Sequence, residues 1–190
     1  MLILPESAGP APVIETDRLR LRGHGPGDFA DSADMWCDRQ VYRYITGKPA
    51  RESELWARIL RYAGHWALLG FGYWLVEEKA TGRFVGEAGF GDYKREIKPA
   101  LNGMPEIGWV LASSMHGKGY GTEAVRAALA WVDANFGSRH TACIIDPENL
   151  ASLRLAAKFG YRELKRTTYL GDPTIMFTRE PGGGRTSNAP

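Results

Sequence analysis

The stretch Ser114-Met115-His116-Gly117-Lys118-Gly119-Tyr120-Gly121-Thr122 lies where one hydrophobic period gives way to another. Before it, Ile107, Trp109 and Leu111 alternate with Gly108, Val110 and Ala112, the period of a strand with one face well covered. After it, Ala124, Val125, Ala128, Leu129, Val132 and Phe136 share one stripe of a helix, with Glu123, Arg126 and Asp133 off the stripe and Gly137 as the stop. The chain must turn sharply between the two. Gly117, Gly119 and Gly121, on alternate positions, allow that turn and bring bare backbone N–H groups close to a bound group. The first N–H groups of a helix have no partner within it and its dipole favours negative charge, so the junction suits a phosphate. Lys118 adds a mobile positive charge.

Glycines between a strand and a helix also serve simple chain reversal, so the run points to an anion site without naming a reaction. Two familiar phosphate loops do not fit. A P-loop requires lysine and then Ser or Thr after its last glycine, whereas Gly121 is followed by Thr122 and Glu123. A dinucleotide fingerprint places a third glycine three residues after the second, and that position after Gly119 is Thr122.

A chain of 190 residues suits one domain with a real core, and 44% hydrophobic with 24% charged residues describes a soluble globular protein. No apolar run approaches a membrane span, and Met1 to Pro12 lacks the basic start and long apolar core of a secretion signal, so a cytoplasmic location is the expectation. Cys37 and Cys143 are too few for a disulfide framework, and His24, His65, His116 and His140 lack ligand spacing, so no structural metal is expected. A net charge of +2 without a basic run argues against a nucleic-acid partner.

In chain order, Val13 to Arg22 reads as the first strand, followed by a helix capped by Asp28 and a shorter helical piece at Val41 to Tyr44. An amphipathic helix spans roughly Arg51 to Leu69 and ends at Gly70. Phe71 to Glu78 and Arg83 to Phe90 form a hairpin joined by Ala80-Thr81-Gly82. Gly91 to Pro105 is a polar loop. Thr141 to Ile145 is a short buried strand with Cys143 as core packing, Pro147 starts a helix that Gly160 ends, and strands follow from Tyr161 and over Thr174 to Arg179. Residues 1–12 are expected to be a leader, 13–180 one domain and 181–190 a disordered tail. This order predicts an α/β, or mixed α+β, single domain: one mixed sheet of about six to seven strands with helices on both faces.

Several separate pieces resemble the GNAT-family N-acetyltransferases, most closely the subgroup related to ribosomal-protein N-terminal acetyltransferases. They are Glu15-Thr16-Asp17-Arg18-Leu19-Arg20-Leu21-Arg22, Pro105-Glu106-Ile107-Gly108-Trp109, Gly117-Lys118-Gly119-Tyr120-Gly121-Thr122-Glu123-Ala124, Asn149 with Ser152, and Lys158-Phe159-Gly160-Tyr161. The resemblance covers roughly Val13 to Arg179. It implies acetyl-CoA as donor, lying in a gap between splayed fourth and fifth strands. It also implies that the pantetheine arm pairs along Trp109, Val110 and Leu111, and that the pyrophosphate is held at His116, Gly117, Lys118, Gly119, Tyr120, Gly121 and Thr122. Asn149 corresponds to the family asparagine that contacts the pantetheine arm, Ser152 sits at the small polar position one turn further on, and both are candidate cofactor-binding residues. Two positions depart from the family pattern. His116 stands where Arg or Gln often heads the glycine motif, and Ala156 stands seven residues after Asn149, where many members carry the tyrosine that protonates the leaving thiolate.

Acetyl transfer to an amine needs a base, a donor to the thioester carbonyl and stabilisation of the thiolate. Glu106 is the candidate base, with Glu87 in reserve. A backbone N–H near Val110 or Leu111 is the candidate carbonyl donor. Ser152, through its hydroxyl or a water, is the candidate for the thiolate, and Asn149 is a further candidate catalytic residue. Arg154 and Lys158 share one helix face and read as solvated, and Trp36 and Trp66 are candidates to wall the acceptor pocket. The expected activity is N-acetyl transfer to a small-molecule or peptide amine by direct attack in a ternary complex. The alternative is a non-catalytic acyl-CoA-binding sensor or interaction module of the same fold. Base rates favour a homodimer if the chain assembles.

Overall fold

The first extended stretch folds back on itself at Thr16. The computed structural model describes residues 10–101, 103–137 and 140–181. In it Val13 to Arg22 forms two strands, β1 (Ile14–Glu15) and β2 (Leu19–Arg22), antiparallel with Ile14 opposite Leu21. Thr16 makes the turn: its N–H donates to the Leu19 carbonyl at 2.9 Å and its hydroxyl accepts from the Leu19 N–H at 2.9 Å. This split brings the strand count among the described residues to eight, above the expected six to seven.

The helices α1 (Phe29–Cys37), α2 (Arg39–Tyr42) and α3 (Glu52–Leu69) follow. Gly70 closes α3 in the left-handed region at φ 70°, where a Cβ would be strained. The predicted hairpin is present as β3 (Tyr73–Glu78) and β4 (Phe84–Gly91), antiparallel with Leu75 opposite Glu87. Next come β5 (Glu106–Leu111), α4 (Tyr120–Phe136), β6 (Thr141–Ile145), α5 (Leu150–Lys158), β7 (Arg162–Tyr169) and β8 (Asp172–Arg179). The strand order is β1-β2-β3-β4-β5-β6-β8-β7 in a mixed α/β sheet. β6 runs parallel to β5 with Glu106 opposite Ala142, and antiparallel to β8.

The chain divides into two compact units, one holding residues up to Gly91 with Gly108–Ala128, the other Asp92–Ile107 with residues from Leu129. In the first unit Met35, Trp36, Val41 and Leu55 form a buried cluster, with Phe29, Ala33, Ala50, Phe84, Val110 and Ala112 packed against it. The proposed pocket residues Trp36 and Trp66 are both buried, at 1% and 4% exposure. Trp66 Nε1 donates to the Tyr73 carbonyl at 2.9 Å. In the second unit Cys143, Ile175, Met176 and Phe177 line the β6–β8 ladder, and Arg179 forks onto Asp133 at 3.0 and 2.7 Å.

Two helix starts differ from expectation. The Asp28 carboxylate makes no cap bond to α1; it accepts instead from the Gly25 N–H at 2.7 Å and from both terminal nitrogens of Arg22, at 2.8 and 2.7 Å. The two-nitrogen fork of Arg22 holds the carboxylate away from the first N–H groups of α1. Pro147 lies in a turn, and α5 begins at Leu150, because the Asn149 side chain caps it by accepting from the Ser152 N–H at 3.1 Å. Trp74 Nε1 donates to the Pro12 carbonyl at 2.8 Å, which ties down the end of the expected leader. The rest of the leader to residue 9, and the expected tail from residue 182, lie outside the described residues. Among the described residues no helix is long and apolar enough to cross a membrane.

Candidate active site

In the first unit, β5 passes through a short 3-10 turn, Ser113–Met115, into the glycine turn and α4. Met115 is buried and anchors the turn, while residues 116–119 are exposed. Gly117 and Gly119 have φ of 75° and 81°, so both occupy the left-handed region that excludes most side chains. The α4 ladder opens with the Glu123 N–H donating to the Gly119 carbonyl at 3.2 Å. The N–H groups of Gly119, Tyr120, Gly121 and Thr122 therefore precede the ladder, at the positive end of a helix of 17 residues. His116 Nε2 donates to the Leu111 carbonyl at 3.0 Å, and Lys118 Nζ lies 3.4 Å from Met115 Sδ. Ser113 donates its hydroxyl to Asp38, whose other oxygen accepts from the Gln40 N–H at 2.8 Å.

A cluster from the β1–β2 turn grips this loop. The Glu123 carboxylate accepts from the Thr16 hydroxyl at 2.6 Å, the Arg18 backbone N–H at 2.8 Å and Arg18 Nε at 2.8 Å, with Arg18 Nη2 at 2.7 Å. Arg18 Nη1 donates to the Lys118 carbonyl at 2.9 Å, and the guanidinium lies 4.7 Å from the centre of the Tyr120 ring. Burial by itself would raise the Glu123 carboxyl, but the bonds from Thr16 and Arg18 hold it below the usual carboxylate range. The Tyr120 hydroxyl donates to Glu78.

Strand alternation sorts the β5 backbone. The Ala112 N–H donates to the Val85 carbonyl at 3.0 Å, so the N–H groups of Leu111 and Trp109 point away from β4. A Cβ at Gly108 would collide with the Tyr73 hydroxyl, so any side chain there needs the Tyr73 ring to shift.

Glu87, on β4, is fully buried. One oxygen accepts from Ser32 Oγ at 2.7 Å, the other from Trp36 Nε1 at 3.1 Å and the Tyr62 hydroxyl at 3.0 Å, and His24 Nε2 lies 3.6 Å away. Desolvation pushes this carboxyl up, yet the nearby His24 ring and the bonds from Ser32 and Trp36 hold it below the usual range. The geometry gives Glu87 the part of an internal tie between α1, α3 and β4.

In the second unit, Glu106 opens β5 with 7% exposure, and both its oxygens accept from Arg95, Nε at 2.6 Å and Nη2 at 2.7 Å. Arg95 also stacks between the rings of Tyr93 and Tyr169, 4.6 and 4.9 Å from their centres. Nothing in the spacing of the 91–105 loop singles out Arg95 as this partner. Asn149 spends its side-chain oxygen on the α5 cap. Ser152 is half-buried, Arg154 and Lys158 are exposed, and Ala156 is fully buried, so the usual place for the family's tyrosine faces packing here.

Fold and turn together place the molecule among the acetyltransferases. The family described as Acetyltransferase (GNAT) domain matches residues 18–162. The YkkB protein of Bacillus subtilis (strain 168), itself uncharacterized, is 32% identical over 174 residues, 88% of this chain and 95% of its own. A solved structure from Bordetella pertussis, assigned to the GnaT family of acetyltransferases, superposes with a TM-score of 0.79 at 30% identity, covering 88% of this chain and 99% of its own. The spermidine N-acetyltransferase of Vibrio cholerae, solved with CoA and spermine, shares the fold at a TM-score of 0.70 and 16% identity, over 89% of this chain and 99% of its own. The chain belongs to the GNAT acetyltransferase family.

Proposed function

We propose that the chain is an N-acetyltransferase that moves the acetyl group of acetyl-CoA to a primary amine, either a protein N-terminus or a small molecule, by direct attack in a ternary complex. The observation that carries this reading is the exposed glycine turn at the head of α4, whose N–H groups from Gly119 to Thr122 precede the helix ladder. Such groups fit a pyrophosphate. His116, Gly117, Lys118, Gly119, Tyr120, Gly121 and Thr122 are the proposed holders of that group. Trp109, Val110 and Leu111 are proposed for the pantetheine arm, as are Asn149 and Ser152.

Acetyl-CoA supplies an activated acyl thioester; the chain's residues orient it and handle the proton. The backbone N–H of Leu111, facing away from β4, is the proposed donor to the thioester carbonyl. Glu106 is the proposed base. Arg95 occupies two of the roughly four acceptor sites of its carboxylate, and the others can take a proton from the amine directly or through water. The amine nitrogen bonds to the acetyl carbon, the carbon–sulfur bond breaks, and the electron pair leaves on the thiolate, with Ser152 as its proposed hydrogen-bond donor. A coenzyme A thiolate is a fair leaving group at neutral pH, so transfer can proceed without a dedicated acid at Ala156.

The buried Ala156 and the Arg95 grip on Glu106 favour the second reading, a module that binds acyl-CoA without turnover. Thiol release across a panel of primary amines separates the two. Release that depends on an amine supports the enzyme, whereas tight acetyl-CoA binding without release across the panel supports the module.

A further inference from the structure

We propose that Arg18 is a positioning residue of the pyrophosphate turn: it neutralises Glu123 and pins the Lys118 carbonyl, so that the neighbouring N–H groups face the bound anion. The inference rests on the acetyl-CoA reading above and adds to it a residue from the opposite end of the chain.

Two physical problems meet at this turn. The first is charge. Glu123 sits in the first turn of α4, where it suits the helix dipole but opposes any anion brought to the same end. Its carboxylate is taken up by the Thr16 hydroxyl and by the backbone and guanidinium of Arg18, all within 2.6–2.8 Å. The second problem is direction. The peptide joining Lys118 to Gly119 turns through Lys118 ψ and Gly119 φ; Gly119 stands at φ 81°, and glycine tolerates both signs of φ, so this peptide plane turns over at little cost. In a trans peptide the C=O and N–H point opposite ways. The 2.9 Å bond from Arg18 Nη1 to the Lys118 carbonyl fixes that plane and aims the Gly119 N–H away from Arg18.

A planar guanidinium can serve both oxygens at once, which an ammonium cannot. Stacking on Tyr120, whose hydroxyl is held by Glu78, sets the plane of the fork. The Arg18 side chain is 49% exposed, so its removal takes little from the core.

The test compares two donors by calorimetry: acetyl-CoA, which carries the pyrophosphate, and S-acetyl-pantetheine, which lacks it. In Arg18→Met the Kd for acetyl-CoA rises about tenfold, as for loss of a charge-assisted contact. The Kd for S-acetyl-pantetheine is unchanged. Arg18→Lys restores only part of the loss, and Arg18→Met with Glu123→Gln binds acetyl-CoA more tightly than Arg18→Met alone because the uncompensated charge is gone. An unchanged acetyl-CoA Kd in Arg18→Met, or an equal loss for both donors, overturns the positioning role while leaving the acetyl-CoA reading intact. A wild-type protein that binds neither donor overturns that reading itself.

Discussion

Arg95 lays its guanidinium fork across both carboxylate oxygens of Glu106, Nε to Oε2 at 2.6 Å and Nη2 to Oε1 at 2.7 Å. The fork holds the carboxylate in one rotamer at the start of β5 and ties the 92–105 segment to that strand. Under the proposed chemistry, Glu106→Gln keeps the hydrogen-bonding shape but loses the base. Its kcat should fall about a hundredfold or more while its Kd for acetyl-CoA stays at the wild-type value. Steady-state thiol release and calorimetry check the two halves separately. An unaltered kcat removes Glu106 from the mechanism.

Arg95→Met leaves the buried carboxylate of Glu106 without its partner. A loss of about 3 kcal/mol is expected, read from urea unfolding. The Arg95→Met, Glu106→Gln double variant should lose less than the sum of the two single changes, because no uncompensated charge remains.

Glu87 has a different part. Glu87→Ala strands the Ser32, Trp36 and Tyr62 donors in the interior, with an expected loss of about 3–5 kcal/mol. If Glu87 were the base, Glu87→Gln would abolish turnover in a protein that remains folded. The internal-tie role predicts instead that the folded fraction of Glu87→Gln keeps a wild-type kcat.

The Glu123 clamp makes a prediction about pH. The carboxyl is held below its usual value of 4.5 in the folded protein. A depressed carboxyl contributes stability that is complete above the usual value and is lost as pH falls through the lower, folded value. The difference in unfolding free energy between wild type and Glu123→Gln should therefore be constant near neutrality and shrink as the solution is acidified below about pH 4.5. A difference that stays constant on acidification would contradict the clamp.

Close packing of β5 is tested at Gly108. In Gly108→Ala the new Cβ meets the Tyr73 hydroxyl, and a loss of about 2 kcal/mol or more is expected. Tyr73→Phe removes the colliding oxygen and leaves the ring carbon at 3.1 Å, so it should recover most of that loss. Thermal midpoints of the single and double variants measure it.

The parts legible in the sequence are those with local causes. The Ala80-Thr81-Gly82 turn, the stripe of α3 with Gly70 at its end, and the strand, glycine turn and helix from β5 to α4 all follow from period and backbone freedom. Where two local signals compete, the stronger bond decides. Asn149 starts α5 in place of Pro147, because a side-chain cap to the Ser152 N–H is a bond and a proline only a permission. The links that set the site were hidden because they are long-range. Arg18 and Glu123 both lie in recognisable motifs, but they are 105 positions apart and no spacing rule joins them. Arg95 sits in a polar loop like any surface arginine, and only the fold shows Glu106 under it. Glu87 looks like an ordinary strand carboxylate until α1 and α3 bring Ser32, Trp36 and Tyr62 over it.

The central claim is that the glycine turn takes the pyrophosphate of acetyl-CoA. Calorimetric titration of the purified protein with acetyl-CoA, with ATP as the control, tests it most directly. The account predicts binding of roughly micromolar strength, about −8 kcal/mol, selective for acetyl-CoA. No heat up to millimolar acetyl-CoA, or equal binding of ATP, would contradict it.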